Sequence, residues 1–146
     1  MSLDVYLEGA PTVGPGTGIF IREAGSTREL TREEWDQRFP GREPVIAPAR
    51  SDKCYSANIT HNLGDMAAEA EIYEPLWRPE EVGITKASEL IEPLTAGLLR
   101  LCTDPIRYRR LNPENGWGTY EGLVQFVAGY LQACREYPGA TVRVWR

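Results

Sequence analysis

Apolar and polar side chains alternate from the start of the chain, with Leu3, Val5 and Leu7 set against Asp4, Tyr6 and Glu8. A period of two predicts a half-buried strand over 3–8. Residues 9–18 are rich in Gly and Pro and read as a turn, and 18–24 read as a second strand, paired with the first in a hairpin. Thr31 and Glu34 form a capping box that opens a short helix running to about Phe39, and Pro40-Gly41 stops it. Residues 42–52 read as loop, with Pro44-Val45-Ile46-Ala47 as an edge strand.

Beyond Lys53 the periods become clearer. Residues 54–59 read as a strand, and Asn58 or Thr60 caps a helix with Leu63, Met66, Ala67 and Ala70 on one face. Pro75 and Pro79 bracket Leu76-Trp77-Arg78 in a tight connection. Thr85 caps a helix whose stripe is Leu90, Ile91, Leu94, Leu98 and Leu101, and Pro93 within it predicts a kink or break. Asp104-Pro105 begins a short helix over 105–111. A loop over 112–118 leads to Thr119, which opens the last helix, with Tyr120, Leu123, Val124, Val127, Leu131 and Cys134 inward. Pro138-Gly139 ends that helix, and residues 141–145 alternate again as a final strand. The order predicts an α+β fold, a small mainly antiparallel sheet with helices on one face. At 146 residues the chain fits a single domain, 1–146.

Composition narrows the function classes. A net charge of −5 argues against bulk electrostatic binding to nucleic acid or anionic lipid. The apolar runs are too short to span a bilayer, and the acidic start lacks the basic region of a secretory signal, so a cytoplasmic protein with no membrane partner is expected. Cys54, Cys102 and Cys134 are widely spaced, and their odd number argues against a disulfide framework. Reduced thiols, at least two of them buried, are expected. The cysteines and the single histidine, His61, lack the close paired spacing of a zinc site, so no metal and no cofactor are expected. The glycines of 13–18 suggest a phosphate loop, but a strand follows where a dinucleotide fingerprint needs a helix.

Two polar junctions are the candidate sites. Asn58-Ile59-Thr60-His61-Asn62-Leu63 places four hydrogen-bonding side chains where a strand enters a helix, a place whose free N–H groups favour anions. It reads either as a double cap or as a ligand site built from Asn58, Thr60, His61 and Asn62. Asp65, four residues after His61, shares its helix face, so a His–Asp dyad with His61 as general base is a candidate catalytic pair, although no nucleophile is evident. The second junction runs from Asn112 to Tyr120 and offers Asn115, Trp117 and Tyr120. There Trp117 is either a core plug or an aromatic wall for a planar ligand. Trp77 is a further stacking candidate, and Arg78 and Arg109 are candidate anion contacts. The acidic stretch Glu69 to Glu81 reads as a solvated face.

The segment Asn58 to Leu63, with Tyr73, Leu76 to Glu81, Gly83-Ile84, Leu90-Ile91, Asp104-Pro105, Asn115-Gly116-Trp117-Gly118 and Tyr137-Pro138, resembles a family of small uncharacterised proteins of bacteriophages, prophages and GC-rich bacteria. The resemblance covers roughly residues 54–146. It implies a setting rather than a mechanism, since small phage accessory proteins often counter host defence, some by binding nucleotide signals.

The leading expectation is a binding module for a small nucleotide-like anion, with the two junctions converging so that His61 and Trp117 line one cavity. Convergence requires the final strand to run parallel to 54–59. The alternatives are a protein–protein interaction module, favoured by four tryptophans and seven tyrosines, and a hydrolase or transferase using His61. Whether the chain is an enzyme or self-associates is left open by the sequence.

Overall fold

A computed structural model describes residues 1–9, 16–46 and 53–146. Most of the 9–18 turn, including Val13 to Pro15 of the glycine-rich stretch, lies outside the described residues, as do Ala47 and the end of the 42–52 loop. The chain forms two compact units, one from residues 1–10 and 53–146, the other from 11–52.

The larger unit is built on a three-stranded sheet of β1 (Ser2–Glu8), β4 (Lys53–Thr60) and β5 (Thr141–Trp145), in the order β4-β1-β5. Both pairings to β1 are antiparallel, so β4 and β5 run parallel to each other on either side of it. The alternation works as predicted. Leu3, Val5 and Leu7 are fully buried in one core with Ile59 and Val142, while their neighbours on the other sheet face stay partly exposed.

Four helical segments and two 3₁₀ turns follow β4 and precede the last helix. They are a 3₁₀ turn His61–Leu63, α2 (Gly64–Glu69), α3 (Tyr73–Trp77), a second 3₁₀ turn Pro79–Val82, α4 (Ala87–Thr103) and α5 (Pro105–Arg109). The last helix, α6, spans Tyr120–Glu136. The stripe Leu90, Leu94 and Leu101 on α4 and Leu123, Val127, Leu131 and Cys134 on α6 join the same core. α4 runs unbroken through Pro93. The tight connection expected between Pro75 and Pro79 lies instead in α3 and the start of a 3₁₀ turn. Leu76 and Trp77 are buried there, and tertiary burial outweighs the flanking prolines.

The smaller unit holds β2 (Ile19–Glu23), β3 (Ser26–Leu30) and α1 (Arg32–Arg38). Here the sequence reading needs correction. β2 is not the hairpin partner of β1. It pairs with β3 in a separate two-stranded sheet. Ala24 and Gly25 join the two strands, both at positive φ (50° and 82°), as a two-residue I′ hairpin requires. β3, Ser-Thr-Arg-Glu-Leu, has no apolar alternation, which is why it was not legible. Ile46 forms a lone antiparallel bridge to Ile19. The capping box at Thr31 is formed on both sides: Thr31 Oγ1 accepts from Glu34 N, and Glu34 accepts from Thr31 N at 2.8 Å.

Candidate functional site

β4 delivers His61 to the edge of the core, and the fold uses both of its ring nitrogens. The Trp77 indole N–H donates to Nδ1 at 3.0 Å. An indole nitrogen can only donate, so Nδ1 is unprotonated, and Nε2–H donates to the Ser2 carbonyl at 2.9 Å. His61 thereby ties the start of β1 and the end of β4 to α3. Asp65 is exposed and holds neither nitrogen, so the His61–Asp65 dyad is not formed. Trp77 is buried and stacked on Tyr73, with ring centroids 5.2 Å apart, so it offers no face to a ligand.

The N–H groups expected to attract an anion are already occupied. His61 N donates to Met1 O, Asn62 N to Thr60 Oγ1 at 3.3 Å, and Gly64 N to His61 O. Asn58 donates to Asp4 at 2.7 Å on the open sheet face. The Asn62 side chain is exposed.

The second junction is closed in the same way. Tyr120 N donates to Asn112 Oδ1 at 2.7 Å and Gly122 N to Thr119 Oγ1 at 3.1 Å. The Glu121 carboxylate accepts from its own backbone N–H and from Arg109 Nε at 2.7 Å, and both hold it below the usual carboxylate range, Arg109 foremost. Asn115 Oδ1 accepts from Trp117 N at 2.9 Å, which shapes the loop. Tyr120 is buried, donates to Leu101 O at 2.8 Å and carries Arg109 over its ring. Arg78 is paired with Glu81 at 2.5 Å, which raises the guanidinium pKa.

The two junctions do meet, where the Gly118 backbone packs against the Thr60 and Leu63 side chains. Gly118 sits at φ 110°, and a Cβ there would lie 2.8 Å from Thr60 Cγ2 and 2.9 Å from Leu63 Cγ. The parallel relation of β4 and β5 brings the start of α6 over the end of β4, as the convergence argument required. The His61 and Trp117 side chains nevertheless stay apart. Trp117 is 71% exposed, and among the described residues no ring contact joins it to His61. The core plug and the shared aromatic wall are both replaced by an exposed indole on a Gly-flanked loop.

Two shallow concavities lie elsewhere. One, about 270 Å³, is lined by Arg28, Leu30, Glu34, Gln37 and Arg38 of the smaller unit. The other, about 210 Å³, lies between β5 and the second 3₁₀ turn. Neither is lined by one of the candidate ligand-binding or catalytic residues. The sequence reading also passed over the exposed apolar side chains Leu99, Ile106 and Trp145. Trp145 was legible, because Val142 and Val144 point inward and the residue after them must point out.

Among the described residues no group of three or more His, Cys, Asp or Glu side chains gathers as a metal site. No described helix is long and apolar enough to cross a membrane. The cysteines differ from expectation. Cys134 is buried, Cys54 is half-buried, and Cys102 is exposed because it lies off the inward stripe of α4. Compared with protein-family models, curated proteins and solved structures, the chain matches none of them.

Proposed function

We propose that the chain is a protein-interaction module. The observation that carries this reading is the exposure of Trp117 and Trp145, at 71% and 70%, on a unit whose junction N–H groups are closed by its own fold. Leaving two indoles in water forgoes burial that a core would gain, and tryptophan is enriched among interface anchors. The phage setting implied by the resemblance is compatible with such a role. The expected result is that a displayed peptide or protein library yields binders that quench or shift the tryptophan emission and lose affinity with Trp145→Ala or Trp117→Ala. A thermal-stability panel of nucleotides should leave the melting temperature unchanged. A nucleotide that raises it, with no library member enriched, would overturn the proposal in favour of a small-anion site.

A further inference from the structure

The outer edge of β5 is covered over half its length. Lys86 bridges Thr141 in antiparallel fashion, with Val142 N donating to Thr85 O and Ala87 N to Ala140 O, both at 2.9 Å. These bonds fix which way the strand's polar groups point. Val142 N–H faces away from β1, so by the period of two the Val144 main chain also faces away. The chain before Thr85 leaves the strand line: Gly83 has φ 76°, and Ile84 N donates to Pro79 O at 2.9 Å, closing the 3₁₀ turn Pro79–Val82 instead of pairing with β5. Thr85 N is drawn off to Glu89 Oε2 at 2.8 Å, so it does not complete the pair with Val142. An open slot results, bounded by Pro79, Glu80 and Ile84 on one side and by Val142, Val144 and Arg146 on the other, with Arg143 at its rim. The Val142 C=O and the Val144 N–H and C=O face it, and among the described residues none has a hydrogen-bond partner outside the β1 ladder.

We infer that this slot takes an extended peptide segment, which adds beside Val144 as a short fourth strand in line with Thr85-Lys86. This rests on the interaction-module reading and names its partner class. Three features specify the occupant. The free main-chain groups call for an extended backbone, the same kind of pairing that Thr85 already makes with β5. The floor of Pro79, Ile84 and Val144 accepts an apolar side chain, and about 210 Å³ holds only one or two. The lining carries two guanidiniums, Arg143 and Arg146, against one carboxylate, Glu80. Arg146 is paired with Glu80, whereas Arg143 reaches Glu8 only at 3.4 Å, so an acidic side chain beside the apolar one is favoured. Trp145, next along the strand and on its open face, flanks the same segment.

The test begins with hydrogen exchange in the free full-length chain. Arg143 and Trp145 amides, bonded to β1, should exchange slowly and the Val144 amide fast. A slow Val144 amide would mean that the edge is closed and would overturn the slot whatever the fate of the interaction reading. A displayed heptapeptide library selected on the full chain should then enrich apolar–acidic sequences. A selected peptide should slow Val144 exchange and bind about tenfold or more weakly to Val144→Pro, which removes the outward N–H without touching the β1 ladder. If that variant does not fold, Glu80→Trp, at an exposed position on the slot wall, should block the peptide equally. Peptides that bind both variants as well as the parent chain would overturn the slot while sustaining an interaction surface elsewhere. A library that enriches nothing would overturn both.

Discussion

The two units of this chain are stabilised by different physics. In the larger one, strands and helices close over a continuous apolar core that runs from Leu3 through Trp77 and Leu94 to Cys134. In the smaller one, Ile19 and Leu30 are the buried side chains among the described residues, and α1 buries none. Its elements are instead laced by exposed ion pairs. Arg32 spans Asp36 and Glu43, Arg38 meets Glu23, and Arg28 meets Glu34 at 3.0 Å. Burial of apolar area scales with the surface removed from water, whereas exposed pairs are screened by solvent and salt. A two-stranded hairpin with one short helix therefore depends on local order, and the larger unit on its interior.

Truncation of the core is the strongest way to break this contrast. Leu94→Ala or Trp77→Ala should cost about 3–5 kcal/mol in denaturant unfolding of the larger unit. Leu30→Ala should speed amide exchange in β2 and β3 and leave that midpoint nearly unchanged. An equal fall in the midpoint from Leu30→Ala would show one cooperative body.

Next comes Gly118→Ala. Its Cβ has no room against Thr60 and Leu63, and φ 110° is strained for any side chain, so a loss of roughly 1–3 kcal/mol is expected. A neutral result would show that the junctions do not meet as described. His61→Ala leaves the indole N–H of Trp77 without its acceptor. It should cost about 1–3 kcal/mol by the same assay. Trp77→Phe should remove most of the further effect of His61→Ala, since it deletes the donor; additive losses would break that link.

pH sharpens the comparison with a smaller effect. In the smaller unit Arg38 lowers Glu23, the Thr31 N–H lowers Glu34, and Arg32 lowers Glu43, all from about 4.5. Depressed carboxylates stabilise above their unfolded pKa. Amide protection in 19–38 should therefore be constant near neutrality and fall as pH drops from 4.5 through the lowered values. In the larger unit burial pushes the Cys134 thiol up from 9.0 to about 12 and raises the Tyr130 hydroxyl as well. Raised acids favour the folded state below their unfolded pKa. The melting temperature of that unit should fall as pH rises from 9 toward 12, and Cys134→Ala should flatten the first part of that slope. The smallest difference separates two thiols: native alkylation should modify Cys102 quickly and Cys134 only on unfolding.

Much of the larger unit was legible because its signals are local and mutually consistent. Leu3, Val5 and Leu7 alternate, Thr119 caps, and Leu90, Leu94 and Leu101 recur at helical spacing, so each element announces its own buried face. β3 gave no such signal, because Ser26 to Glu29 are polar on both faces and the strand forms only by pairing with β2. The polar residues around His61 and Asn115 are bonded within the chain. Residue types alone, however, cannot tell a donor aimed at a ligand from one aimed at the chain. His61 meets Ser2, 59 residues earlier, and Trp77, 16 residues later. Asn112 meets Tyr120 across a loop.

The sequence by itself determined the amphipathic strands and long helices of the larger unit, the caps at Thr31 and Thr119 and the α+β class, because these follow from spacing along a few turns or strand residues. Strand order, the separation of β2 from β1, the partners of His61 and the half-covered edge of β5 were decided by tertiary structure. Each depends on which distant segment supplies a hydrogen-bond partner or a buried surface, and that is a property of the folded chain rather than of any stretch within it.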